Sequence, residues 1–89
     1  MAHMDRQEAV RYAEIARAEL RGRLLAKYAS INAIAKALDV PYKSAYRYLT
    51  VETDQREVPF WFLVLSLRLL GDSLADFEAH VNAQATRSK

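Results

Sequence analysis

Apolar residues recur at spacings of three and four along most of the chain, and polar or turn-forming residues mark where each run stops. Ala9, Ala13, Ala16, Leu20 and Leu24 form one stripe, which predicts a first helix over about 5–28. Gly22 weakens that helix by roughly 1 kcal/mol relative to Ala and makes a bend or break there an expectation. Ile31, Ile34, Ala35 and Leu38 predict a second helix over about 31–38, with Ser30 as its N-cap. Asp39-Val40-Pro41 interrupts the pattern, because Pro41 has no N–H and favours a first helical turn. Ala45, Tyr48 and Leu49 then predict a third helix over about 41–49. The polar stretch 50–57 reads as a loop, followed by a fourth helix over about 58–70 with Pro59 in its first turn and Gly71 as its stop. A fifth helix starts after Asp72 or Ser73, where Ser73-Leu74-Ala75-Asp76 approximates a capping box, and ends near Asn82. The last residues, AQATRSK, are expected to fray. The expected fold class is all-α, with five helices.

Residues 30–49 carry the most information. Small Ala35, Val40 after the turn and the pair Ala45 and Tyr48 suit two short helices that cross closely. That is the build of a helix-turn-helix, whose second helix enters the major groove of DNA. An ordinary helical hairpin in a structural bundle has the same core pattern. The outer face of the third helix separates the two readings. It carries Tyr42, Lys43, Tyr46 and Arg47, with no acid between 41 and 51, whereas a plain bundle surface mixes signs.

The 89 residues predict one small domain, with no separate ligand-sensing domain. Met1-Ala2-His3-Met4 reads as an expression remnant, and residues 1–3 are set aside, leaving a domain over 4–83 and a flexible tail over 84–89. Cysteine is absent, which excludes a disulfide framework, a thiol nucleophile and thiolate-ligated zinc, and is compatible with a reducing cytosol. No leader is recognised. The longest apolar run, Val58 to Leu67, is interrupted by Ser66 and is far short of the roughly 20 residues that span a bilayer, so no membrane association is expected. The net charge is only +2, but residues 1–50 hold nine Lys/Arg against five Asp/Glu, and residues 51–89 hold four against six. The positive half contains the candidate helix-turn-helix, as a phosphate-facing surface requires.

Over about residues 19–82 the chain resembles the lambda-repressor-like, XRE/Cro family of DNA-binding domains. The family pattern T-Q-x-x-L-A-x-x-L-G-V-S-x-x-x-I-S-x-W aligns with Ser30-Ile31-Asn32-Ala33-Ile34-Ala35, then Leu38-Asp39-Val40-Pro41, then Ala45-Tyr46-Arg47-Tyr48. LRLLGDSLADF, residues 68–77 with its preceding leucine, is similar to the family segment A-L-G-V-S-L-x-E-L that joins helices four and five. Ile31, Asp39 and Pro41 depart from the family's Gln, Gly and Ser or Thr, and the first helix begins earlier than is usual. The resemblance implies a five-helix lambda-repressor-like domain and a cytoplasmic, nucleoid-associated regulator of a bacterial cell or phage-infected host. It also implies that positions 42, 43, 46 and 47 face the groove.

The chemistry of these positions is consistent with that role. Arg47 can give two donors to guanine O6 and N7, and Lys43 can do so less rigidly. Tyr42 and Tyr46 can touch thymine methyls or donate to phosphate, and packing is their alternative role. Ser30 and Ser44 are candidate phosphate donors, with capping as the plainer role. Lys36, Arg21, Arg23 and Lys27 are candidate flanking phosphate contacts, or simply solvated charges.

The fourth helix is apolar all round. Val64, Leu67 and Leu70 suit the core, which leaves Trp61, Phe62, Leu65 and Leu69 as a second stripe for another protomer, unless the first helix covers it. Catalysis is not expected. His80 is the one histidine beyond the remnant, no residue set has metal-ligand spacing, and no Gly-rich phosphate loop is present, so neither metal nor cofactor is expected. The expected function is a sequence-specific double-stranded DNA-binding transcriptional regulator, a Cro-like or phage-type repressor that binds an operator as a homodimer. The alternatives are a protein-interaction module, such as an antitoxin or a phage-encoded inhibitor, that uses the surface of helices four and five, and a DNA-recombination accessory factor.

Overall fold

A computed structural model describes residues 6–50 and 58–87 of the chain. These residues form five helices and no strand: α1 (Arg6–Lys27), α2 (Ile31–Leu38), α3 (Tyr42–Leu49), α4 (Phe60–Leu70) and α5 (Leu74–Arg87). The fold is therefore all-α. Of the expected loop at 50–57, Thr50 caps the end of α3, and residues 51–57 lie outside the described residues, as does the expected remnant at 1–3.

Local chemistry sets the helix ends. Ser30 is extended, and its Oγ accepts from the Ala33 N–H at 3.1 Å, which caps α2. At the other end Asp39 adopts the left-handed conformation, with φ 57°. Its N–H donates to the Lys36 carbonyl at 3.2 Å, and the Val40 N–H donates to the Ala35 carbonyl at 3.0 Å. This is a Schellman closure in which Asp stands where Gly is usual. Gly71 closes α4 in the same way, with φ 76° and a bond of 2.9 Å from the Asp72 N–H to the Leu67 carbonyl. Pro41 and Pro59 sit just outside α3 and α4, as N-caps with extended backbones.

The core takes two buried residues from every helix: Leu20 and Leu24, Ile34 and Ala35, Ala45 and Leu49, Phe62 and Leu67, Phe77 and Val81. It therefore assembles only when all five elements dock. Fully burying side chains of this size stabilises a fold by about 1.5–3 kcal/mol each. Helix α1 is the common partner, packing on α2, α3, α4 and α5. It runs unbroken through Gly22, which is exposed and has no heavy atom within 4 Å of a would-be Cβ. Packing on both sides of that position keeps the helix continuous where propensity alone allows a break.

Two expectations about the C-terminal half need correction. Phe62 is fully buried inside the protomer, so it cannot form part of an outward stripe. Its ring packs edge-on to Tyr48, with centroids 5.0 Å apart. The inward face of α4 is Phe62, Ser66 and Leu67, and Leu69 and Leu70 pack partly against the core, whereas Val64 is only half-buried. The sequence of α4 has almost no polar face to fix its rotation, so docking on α1 and α2, with the Tyr48 ring of α3 against Phe62, decides it. The second correction concerns α5, which continues to Arg87 rather than ending near Asn82.

A polar cluster fastens α5 to α1. Glu19 takes a bond of 2.6 Å from Arg23 Nε and one of 3.0 Å from Gln84 Nε2, while Arg23 Nη1 reaches Asp72 at 3.0 Å. His80 Nε2 lies 3.4 Å from Glu19 and 2.9 Å from the Gln84 amide. Burial pushes the Glu19 carboxyl up, but the bonds from Arg23 and Gln84 and the charges of His80 and Arg23 outweigh it, so its pKa lies below the ordinary value. For Arg23, burial acts downward, and the bonds to Glu19 and Asp72 reverse it and raise the pKa.

Candidate nucleic-acid interface

Helices α2 and α3 pack on each other, and each keeps an exposed side. Ala45 and Leu49 are fully buried and fix the inner side of α3. With the helix rotation thereby set, Tyr42, Lys43 and Arg47 are exposed, and Ser44 and Tyr46 are half-buried at the edges. Lys43 and Arg47 stand four residues apart and so share a side of the helix. The rings of Tyr42 and Tyr46 pack on each other with centroids 5.9 Å apart, which orders two side chains on that face. No residue of α3 is acidic.

Both ends of α3 are held. At its start the Ser44 and Ala45 N–H groups donate to the Pro41 carbonyl at 3.0 and 3.1 Å. At its end the Thr50 N–H and Oγ1 both donate to the Tyr46 carbonyl, at 3.0 and 2.6 Å. Arg17 Nε donates to the Tyr48 carbonyl at 3.1 Å. A cation there also complements the negative end of the helix dipole. The side chains of the face are thus displayed on a backbone fixed by other residues.

The flanking residues separate into two groups. Ser30 is exposed at the start of α2, with its Oγ engaged in capping. Lys36 and Arg21 are exposed cations. Arg23 and Lys27 do not join them. Arg23 bridges Glu19 and Asp72 and lies over the Phe77 ring at 5.1 Å. Lys27 Nζ donates to the Leu69 carbonyl at 2.8 Å. Helix geometry explains the split. Arg21 lies about 40° around α1 from Arg17, on the α3 side, whereas Arg23 lies about 240° around and faces α4 and α5. The expected cluster of three cations on α1 is therefore not formed.

Arg17 is not among the cations that the sequence pattern singles out. The signal was present, since Arg17 directly follows Ala16 and sits three residues before Leu20, on the edge of the apolar stripe. A cation at such a position is a candidate for capping a neighbouring helix. Glu19 was also missed, although its spacing of four from Arg23 is the standard ion-pair register.

Helix α4 displays a second surface. Phe60, Trp61 and Leu65 are 67%, 48% and 40% exposed, while Leu69 is partly covered by the core. Helix α1 thus leaves Trp61 and Leu65 open. Among the described residues no group of three or more His, Cys, Asp or Glu side chains could hold a metal ion, and no helix is long and apolar enough to cross a membrane. The chain matches no protein-family model, no curated protein and no solved structure.

Proposed function

We propose that this protein is a sequence-selective binder of double-stranded DNA that regulates transcription, with α3 as the helix that enters the major groove. The observation that carries this reading is the α3 surface. Tyr42, Lys43 and Arg47 stand exposed on an acid-free helix whose opposite side is locked by Ala45 and Leu49. Arg47 and Lys43 offer donors to guanine edges, Tyr42 and Tyr46 offer ring and hydroxyl contacts, and Ser44, Lys36 and Arg21 flank them as phosphate contacts. Ser30 belongs to this edge through the α2 N-terminus. The α2–α3 unit is then a helix-turn-helix of the lambda-repressor-like kind, acting in the cytoplasm where DNA is accessible.

One recognition helix covers only a few base pairs, so selective binding calls for two protomers. Trp61 and Leu65, with neighbouring Phe60, supply an apolar contact for pairing. A two-fold dimer would read a near-palindromic operator with half-sites about 10 base pairs apart or a multiple of that. The same exposed apolar residues favour a second reading, a protein-interaction module such as an antitoxin or inhibitor, in which α4 holds a different protein.

Selection from random duplex oligonucleotides by the purified protein tests the proposal. The expected result is an enriched, near-palindromic sequence bound with strong salt dependence. Failure to bind any duplex at low salt would reject it and leave the interaction module.

A further inference from the structure

Arg17 is only 3% exposed, and among the described residues none of its nitrogens is both buried and without a partner. A guanidinium carries five N–H donors, and here Nε alone is matched, by the Tyr48 carbonyl at 3.1 Å. No carboxylate forms an ion pair with Arg17 among the described residues. The N–H groups beyond Nε therefore keep an edge open to a groove, where an oxyanion can take the place of water. Arg17 lines a cavity of about 250 Å³ whose other walls are Glu14, Ala18, Arg21 and Leu49. Arg21 lies one turn along α1 on the same side, so two guanidinium groups and one carboxylate share the cavity, with positive charge in excess.

We infer that this cavity is a binding site for a compact phosphate oxyanion, held by Arg17 from within and Arg21 from the rim. Phosphate presents several acceptor oxygens to the planar fork of a guanidinium, and two arginines together can satisfy more of them than either alone. Recession of Arg17 favours a small free anion over a phosphate of the DNA backbone. A duplex lying across the surface meets exposed Arg21, Lys43 and Arg47 first. Because Arg17 also holds the last turn of α3, an occupant would bear on the seating of that helix. The site itself does not depend on whether α3 binds DNA.

Arginine Nε–Hε resonances, followed by NMR during titration with inorganic phosphate at constant ionic strength in chloride, test the inference. Saturable shifts of Arg17 and Arg21, absent from exposed Arg47, are expected. Arg21→Gln, which alters an exposed position and leaves the core intact, should weaken phosphate binding about tenfold, the loss of one charge-assisted bidentate contact. Parallel, non-saturating shifts of Arg17, Arg21 and Arg47 would reduce the effect to general screening and overturn the inference. In a separate arm a short duplex replaces phosphate. A shift of Arg17 with duplex but not with free phosphate would make the cavity a seat for the DNA backbone and overturn the small-anion assignment. Retained phosphate binding in a protein that binds no duplex would uphold the site and reject only the DNA reading.

Discussion

Lys27, in the last turn of α1, donates through Nζ to the carbonyl of Leu69 in the last turn of α4, at 2.8 Å. Two helix C-termini thus meet at a single cation, where unsatisfied carbonyls and the helix dipole both favour positive charge. Lys27→Met keeps the aliphatic stem and removes the donor. The expected outcome in urea denaturation is a loss of up to about 1 kcal/mol. Duplex affinity and its salt slope, measured in the same preparation, should not change. A lower slope at unaltered stability would return Lys27 to the DNA surface.

Acid should loosen the α1–α5 junction. Glu19 has its folded-state pKa below the unfolded value, so its contribution is present at pH above the ordinary carboxylate range, about 4.3. That contribution is lost as pH falls through the folded value. Denaturant midpoints collected across acidic pH should decline there, and Glu19→Gln should flatten the decline while lowering stability at neutral pH. An identical pH profile in the variant would show that other carboxylates govern the acid limb.

Arg47→Ala should reduce affinity for the selected operator by about 1–3 kcal/mol and relax preference at one base pair, as loss of a bidentate guanine contact does. The fold should be unaffected, because Arg47 is exposed. Competition binding against single-position operator variants reads both effects. Equal losses on specific and random duplex would make Arg47 a phosphate contact.

Leu65→Glu places a charge on the open side of α4, where Leu65 is 40% exposed. Self-association, followed by light scattering, should weaken while the circular dichroism spectrum is preserved. Phe62→Glu should instead unfold the protein, since that side chain is fully buried. A wild-type chain that stays monomeric at high concentration and binds a single half-site one-to-one would remove the dimer from the proposal.

Gly22→Ala should stabilise the protein by roughly 1 kcal/mol, the helix-propensity difference in an exposed helix interior. The space beside Gly22 is open and its backbone is helical. A thermal melt is sufficient to check it. A lower midpoint would mean that the glycine serves a backbone geometry that alanine does not tolerate.

The contrast between well-read and misread elements follows the range of the interactions involved. Helices α2 and α3 were legible because their signals are adjacent in sequence: the Ser30 cap, the Asp39-Val40-Pro41 interruption and the apolar spacing. Rotation of α4 was not legible, because FWFLVLSLRLL offers nearly the same character on every side and its choice comes from docking on α1 and α2. The end of α5 depends on Gln84 finding Glu19, 65 residues earlier. Assignment of Arg23 and Lys27 to the fold rather than to a surface depends on partners 49 and 42 residues away. Charge sign could be counted along the chain, but the direction each cation faces is set only when α4 and α5 dock on α1.

Trp61 is the single tryptophan of the chain, 48% exposed, with its ring edge-on to Tyr48 of α3 and to Phe62, each at 5.8 Å between centroids. An indole so placed is half in water and half against aromatic rings, and its emission is sensitive to both. The chain therefore carries its own optical gauge. A displacement of α3, by nucleic acid on its outer face or by an anion behind its last turn, would alter the surroundings of one fluorophore, with no label attached and no second tryptophan to dilute the signal.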